Sequence, residues 1–382
     1  MKVLHLIYTH GIAGAEKYLK HLLPPLREYN IESHLVLVVP PVYSEKVATY
    51  CKEMNALGIP VTVLEYSKKD FFKASKRIAL YTKEHGIRYL HSHLVNSDVL
   101  AILAKKIYNR SLTLISTKHG YSEYILKQVD DVSKSGRLRL KAMSKAYYYI
   151  TWLTLKMIPN NFAVSKAMAI LYQNLGFTPK EMPYIHHGVN ITGSNEPVME
   201  KNPGPTLLII GRLEIFKGHI CLIKAMPAIV SRFPSCKLIV LGEGGERQNF
   251  ENLAQSLGVA ENVQFMGFHN NPYAFIRQAD VVVIPSLFEP FGLVFIEAIA
   301  LQKAVAAFDV PAGNEILTHG KTALLAPRAD HDALAQHIIC LLNDKELSSR
   351  LGAAGYAHYL NNFTTATMVK NTFNYYNGIK KS

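Results

Sequence analysis

TLLIIGRLEIFKG, residues 206–218, is an apolar run closed by a glycine turn that carries Arg212 and Lys217. A short continuous apolar run bounded by glycine reads as a strand buried on both faces, and such strands belong to parallel sheets covered by helices. The same grammar continues at 237–241, 263–265, 281–284 and 304–307, each run followed by a longer amphipathic stretch. Upstream it appears at 3–8, 35–39, 61–64, 112–116 and 161–164. Between the two series, residues 190–205 are rich in Asn, Gly, Pro and Glu and lack apolar periodicity, which is the composition of a linker. The expectation is an α/β chain of two doubly wound domains, 1–189 and 206–363, joined by 190–205, with a last helical stretch in 364–382 crossing back to the first domain. A length of 382 residues, more than one hydrophobic core usually serves, agrees with that division.

Composition narrows the function classes. Hydrophobic residues make up 49% and charged residues 19%, which excludes a disordered chain. The longest uncharged apolar stretch, 146–155, is about half the roughly 20 residues of a spanning helix. Four cysteines, Cys51, Cys221, Cys236 and Cys340, are scattered without paired spacing, which argues against a disulfide framework or zinc site and for a reducing, cytoplasmic setting. The net charge of +13 sits in the first half: residues 1–190 hold 26 Lys/Arg and 13 Asp/Glu, residues 191–382 hold 16 of each. Residues 133–180 contain no carboxylate but carry Lys134, Arg137, Arg139, Lys141, Lys145, Lys156, Lys166 and Lys180 beside Tyr147, Tyr148, Tyr149 and Trp152. Basic and aromatic groups together suit a peripheral contact with an anionic membrane; the alternatives are a solvated basic helix or a groove for an acidic substrate. No nucleic-acid module accompanies the charge, so nucleic acid is not an expected partner.

Ligands of open α/β sheets bind outside the carboxyl ends of the strands, so the loops there hold the candidate residues. After the first strand, His10-Gly11-Ile12-Ala13-Gly14-Ala15-Glu16 opens a helix with small residues, allowing backbone to approach a phosphate. Arg212 and Lys217 together suit a diphosphate, Arg as a donor fork and Lys as a point charge; the alternative is surface cations beside a turn. Glu289-Pro290-Phe291-Gly292-Leu293-Val294-Phe295-Ile296-Glu297 runs into an apolar helix, where the Glu297 carboxylate needs hydrogen-bond donors such as ribose hydroxyls. Phe291, Gly292 and Leu293 lie at the helix start, whose free N–H groups and dipole favour phosphate oxygens. His119-Gly120 follows the 112–116 strand, and His91 and His93 follow another. Asp330-His331-Asp332 has the form of a metal-holding pair, yet it precedes an amphipathic helix, and Asp330 reads as its N-cap.

Taken in order, these motifs resemble glycosyltransferase family 4, retaining enzymes of the GT-B fold. The resemblance rests on Gly14-Ala15-Glu16, Gly211-Arg212-Leu213 with Lys217-Gly218, Gly242-Glu243-Gly244, and Glu289 with Glu297 seven residues between. A stretch from Asp309 to Leu325, with Glu315 and His319-Gly320-Lys321-Thr322-Ala323-Leu324-Leu325, is also similar to the family's. The family often has two glycines where this chain has Ala13-Gly14. The resemblance implies two Rossmann-like domains facing across a cleft, the first for the acceptor and the second for a nucleotide-sugar. It implies that Arg212 and Lys217 hold the donor diphosphate and Glu297 the ribose. Glu289 then contacts the sugar, Phe291, Gly292 and Leu293 complete the donor contacts, and Gly14 approaches the diphosphate. His119 faces the transferred sugar. No metal or other cofactor is expected, the donor being a UDP- or GDP-sugar and the acceptor a saccharide or lipid-linked saccharide of cell-surface polysaccharide or glycolipid synthesis. The rival readings are another GT-B sugar-nucleotide enzyme and a non-catalytic sugar-nucleotide-binding protein.

Overall fold

The structure, a computed structural model, describes residues 1–120, 134–178, 182–191, 202–269 and 271–379, with backbone alone for residue 68 and residues 134–144. Most of the linker read at 190–205 lies outside the described residues, as do Lys180 and the side chains that begin the basic segment. The chain forms two compact units, Met1–Gly188 with Thr365–Ser382, and Val189–Thr364.

The first unit is a six-stranded sheet of β1 (Lys2–Tyr8), β2 (Glu32–Val39), β3 (Val61–Glu65), β4 (Tyr89–His93), β5 (Thr113–Lys118) and β6 (Asn160–Ala163), ordered β3-β2-β1-β4-β5-β6 with every pairing parallel. Its described helices are α1 (Gly14–Leu22), α2 (Ala48–Ala56), α3 (Phe71–Glu84), α4 (Val95–Leu103), α5 (Lys134–Met157) and α6 (Lys166–Asn174). Side chains alternate across each strand, so the apolar strands feed two cores. Val3 and Ile7 pack with Tyr18 and Leu19 of α1 and with Met368, Val369 and Tyr376 of the last helix. Leu4, Leu6 and Tyr8 face the other way, onto Ile78 of α3 and Leu100 and Ala101 of α4.

β4 corrects one expectation: His91 and His93 lie within the strand, not after it. Tyr-Leu-His-Ser-His does not read as an apolar run, yet residues 90–93 are buried, because their polar groups find partners inside. Ser92 Oγ and Ser116 Oγ each donate to Asp98 Oδ1 at 2.6 Å, and the Lys118 ammonium donates to Asp98 Oδ2. Asp98 and Lys118 are 0% and 1% exposed, so the two charges cancel inside the protein and tie the first turn of α4 beneath the ends of β4 and β5.

The second unit repeats the plan. Its strands are β7 (Thr206–Ile210), β8 (Lys237–Leu241), β9 (Val263–Gly267), β10 (Val281–Ile284), β11 (Ala304–Phe308) and β12 (Leu324–Ala326), ordered β12-β11-β10-β7-β8-β9, again all parallel. The helices are α7 (His219–Arg232), α8 (Arg247–Ser256), α9 (Tyr273–Gln278), α10 (Leu293–Ala300), α11 (His331–Asn343) and α12 (Lys345–Asn362); α13 (Thr365–Asn377) belongs to the first unit. Among the described residues no helix is long and apolar enough to cross a membrane.

Candidate active site

In the second sheet β7 and β10 are neighbours, and the chain winds outward from β7 through β8 and β9 on one side and through β11 and β12 beyond β10 on the other. The order reverses between β7 and β10, and beyond their carboxyl ends lies the crevice in which doubly wound sheets bind ligands. The loop after β7 is shaped to reach that crevice. A short 3-10 turn, Ile215–Lys217, ends at Gly218 with φ of 74°, and a Cβ there would fall 1.7 Å from the Pro285 carbonyl oxygen. Only glycine permits both the left-handed conformation and this approach to the end of β10. Leu287 N–H then donates to the Phe216 carbonyl at 2.8 Å, locking the two loops together.

That lock aligns the charged groups. Lys217 Nζ donates to Glu289 Oε1 at 2.6 Å, and Ser286 Oγ donates to the same oxygen at 2.9 Å. The guanidinium carbon of Arg212 and Lys217 Nζ lie 5.4 and 5.6 Å from the centre of the Phe216 ring, so two cations stack on one aromatic ring, and one of them bonds the carboxylate. Without a ligand, Glu289 neutralises Lys217. An anion on the two cations releases the carboxylate to accept from hydroxyl groups.

The helix after β10 carries the other candidate residues. Gly292 caps α10 with φ of 98°, and a Cβ there would sit 2.3 Å from Phe295 Cδ2, so the helix can open at Leu293 only on a glycine. Phe291 is buried, its ring 6.1 Å from that of Phe363. Glu297 is 4% exposed in the body of α10. Tyr273 lies near it: burial first, then the Glu297 charge, raises the Tyr273 phenol. Asp330 Oδ1 accepts from Ala333 N–H at 2.9 Å, capping α11 as the sequence suggests.

In the first unit the order reverses between β1 and β4, and the loops there carry the glycine motif and the histidines. Thr9 Oγ1 donates to the Gly11 carbonyl at 2.5 Å and accepts from Gly11 N–H at 3.2 Å, while Glu16 Oε2 accepts from Ala13 N–H at 2.8 Å. Glu16 is 2% exposed, and burial raises its carboxyl above the usual range against those hydrogen bonds. A Cβ at Gly14 would meet nothing within 4 Å. The protein therefore does not itself require glycine at 14. Gly14→Ala is expected to leave the melting temperature unchanged and to weaken nucleotide-sugar binding about tenfold or more, roughly 1.4 kcal/mol, in a calorimetric titration. Unchanged affinity would contradict the expected approach of Gly14 to a diphosphate.

His119 follows β5, with Nε2 2.9 Å from His93 Nδ1 and its ring packed on Tyr18 at 5.0 Å and His187 at 5.6 Å. Burial holds His119 neutral, its pKa lowered to about 3. The structure thus brings Arg212, Lys217 and Glu289 together in one unit, and joins His119 to His93 in the other. Unread in the sequence were Ser286, Phe216, His5, Tyr18 and His187. Only the His91-Ser92-His93 alternation signalled that two imidazoles share a face.

Two family descriptions match consecutive parts of the chain, Glycosyltransferase Family 4 over residues 12–192 and Glycosyl transferases group 1 over residues 194–358. The chain belongs to glycosyltransferase family 4. An N-acetylgalactosamine-N,N'-diacetylbacillosaminyl-diphospho-undecaprenol 4-alpha-N-acetylgalactosaminyltransferase of Campylobacter jejuni is 25% identical to this family member over 89% of the chain and 90% of the relative. A phosphatidyl-myo-inositol mannosyltransferase of Mycobacterium leprae is 34% identical over 47% of the chain. An uncharacterised glycosyltransferase of Methanocaldococcus jannaschii is 38% identical over 36% of it. The chain spans 49% and 36% of the length of these last two relatives. Among solved structures, Anabaena HepE in complex with UDP and glucose superposes with a TM-score of 0.81 at 17% identity, covering 99% of this chain and all of that one. That likeness establishes the GT-B fold.

Proposed function

We propose that this family 4 member moves a sugar from a UDP- or GDP-sugar to a saccharide or lipid-linked acceptor, with retention of configuration and without a metal ion. The Lys217–Glu289 pair, set beside Arg212 at the reversal of strand order, carries this reading. Arg212 and Lys217 take the diphosphate and stabilise the charge that grows as the nucleotide leaves. Glu289, released from Lys217, accepts from sugar hydroxyls, Glu297 accepts from the ribose, and backbone N–H groups at Phe291, Gly292 and Leu293 complete the donor contacts. The bond from the anomeric carbon to the diphosphate breaks and a bond to the acceptor oxygen forms on the same face. The acceptor proton passes to the departing phosphate, giving a glycoside and a nucleoside diphosphate.

UDP and glucose in the name of the HepE complex, and a diphospho-undecaprenol saccharide in that of the Campylobacter relative, support the two substrate classes. A surface of α5 supports a membrane-borne acceptor: Tyr149, Ile150, Trp152 and Leu153 are exposed, and Lys156 Nζ stands 5.8 Å from the Trp152 ring. Apolar and aromatic groups flanked by lysines match an anionic lipid interface, from which the cytoplasmic face of a membrane would present the acceptor. Nucleoside diphosphate release from UDP-, GDP- and ADP-sugars, in EDTA and with membrane lipid extract added or withheld, tests the reading. The expected result is release from one donor, stimulated by the extract. Binding of a nucleotide-sugar without release under any condition would contradict it and favour a non-catalytic binder.

A further inference from the structure

One face of the first unit's sheet carries a line of imidazoles. His5 of β1 is in register with His91 of β4, and His93 lies two residues on, opposite Ile7 and Thr117. Alternation puts His5, His91, His93 and Thr117 on one side of the sheet, and His119 follows β5 at its carboxyl end. His5 Nδ1 is 3.2 Å from His93 Nε2, and His93 Nδ1 is 2.9 Å from His119 Nε2. At the two ends of this chain, His5 Nε2 and His119 Nδ1 are shielded from solvent and lack a partner. His91 is engaged separately, by the Tyr376 hydroxyl at 2.6 Å and Thr117 Oγ1 at 2.7 Å.

Three neutral imidazoles bring three N–H groups to two internal contacts, so one N–H is left at one end. Left on His5, it is a bare donor in the core. Left on His119, it stands at the strand end where a ligand can accept it, and His5 keeps only a bare lone pair, the more tolerable defect. We propose that His93 is a positioning residue: its Nδ1–H donates to His119 Nε2 and holds His119 in the Nδ1–H tautomer, a hydrogen-bond donor to a sugar oxygen at the carboxyl end of β5. The sugar contact rests on the transferase reading, and the tautomer rests on a ligand oxygen reaching His119 Nδ1, since without one the two ends of the chain are equally unpartnered. Burial keeps His5, His93 and His119 neutral, so the direction of the chain persists across the working pH range. Candidate ligand atoms of His5, His91 and His93 lie within 4.8 Å of one another, but the His5 and His93 rings are stacked 17° from parallel and their facing nitrogens bond each other. That suits a hydrogen-bonded chain better than a shared metal ion.

Long-range nitrogen–proton NMR correlations of the full chain, labelled in histidine, read the tautomer directly. His119 is expected as the Nδ1–H form in the wild type, as the ordinary Nε2–H form in His93→Phe, and as Nδ1–H again in His93→Asn, whose amide N–H replaces the donor. His93→Phe is expected to lower kcat roughly tenfold to a hundredfold while donor KM stays nearly constant, and His93→Asn to restore most of it. An Nε2–H form of His119 in the wild type, a tautomer indifferent to His93→Phe, or one zinc ion bound per chain that shifts the His5 and His93 signals would overturn the proposal. The expected tautomers with unchanged turnover in His119→Ala would overturn the sugar contact, and no donor turnover in the wild type would overturn the transferase reading alone.

Discussion

Lys217→Ala is expected to lower kcat for sugar transfer about 10²- to 10³-fold, the loss that follows removal of one preorganised group from the developing charge of a leaving oxygen. The side chain is placed for that: Nζ is 2.6 Å from Glu289, and the turn that carries it is locked by Gly218 against Pro285. Removing the ammonium also strands Glu289, whose side chain is 8% exposed, with Ser286 as the donor still beside it. Part of the loss is therefore shared with the carboxylate, and Glu289→Ala in the same chain is expected to add much less than its single effect. Lys217→Arg is not a conservative control, because a planar fork replaces a point charge. Steady-state kinetics of the two single variants and the double variant, with thermal melts to show an intact fold, measure this. A fall of less than about tenfold in Lys217→Ala would take Lys217 out of the charge-stabilising role.

The buried histidines predict that the first unit is acid-labile. Burial, reinforced by the like charge that neighbouring imidazoles would carry, holds His91, His93 and His187 well below the usual histidine range, and burial lowers His5 to about 3. A folded pKa below the unfolded value means that, below about pH 6.5, the unfolded chain binds protons the folded one refuses. Stability is therefore intact above about pH 6.5 and is lost as pH falls towards the folded values. Each such group costs up to about 1.4 kcal/mol per pH unit; with His119 and His21, lowered by burial to about 3 and about 4, six cost up to about 8 kcal/mol per unit, against a domain stability of roughly 5–15 kcal/mol. Glu16, raised by burial, acts with the opposite sign but is one group against six.

The first unit is expected to unfold near pH 5 on this estimate. In the second unit His219 is the buried histidine among the described residues, lowered to about 3 by burial and then by Lys217, and that unit is expected to resist to lower pH. The chain has a single tryptophan, Trp152 on α5 of the first unit, so its fluorescence reports that unit alone. A Trp152 transition near pH 5 preceding the loss of helical circular dichroism from the rest is the expected pattern. One common transition below about pH 3.5 would contradict it.

Most strands were legible because a parallel sheet covered on both faces demands continuous apolar runs, as in Leu207–Ile209 and Val281–Ile284. β4 was not, because His91, Ser92 and His93 look like loop residues until Asp98, Thr117 and Tyr376 are known to satisfy them. β12, three residues long, was not among the apolar runs read as strands. In the site, Arg212, Lys217, Glu289 and Glu297 were legible as residue types at strand ends, but the contact of Lys217 with Glu289 follows from β7 lying beside β10. Strand order is a property of the whole sheet and leaves no local trace. Ser286 and Phe216 went unread for the same reason: a serine after a strand and an apolar residue in a loop are ordinary until the neighbouring loop is in place. His119 and His93 were legible separately, yet their hydrogen bond depends on the register of β4 with β5.

The central claim, that the strand ends at the β7–β10 reversal bind the donor's diphosphate and ribose, is tested most directly by hydrogen–deuterium exchange of the full chain with and without UDP and GDP. We expect one nucleotide to slow exchange at residues 211–218 and 289–297 in the wild type, and to lose that protection at 211–218 in Lys217→Ala. Protection confined to other segments by a nucleotide that does bind would contradict it.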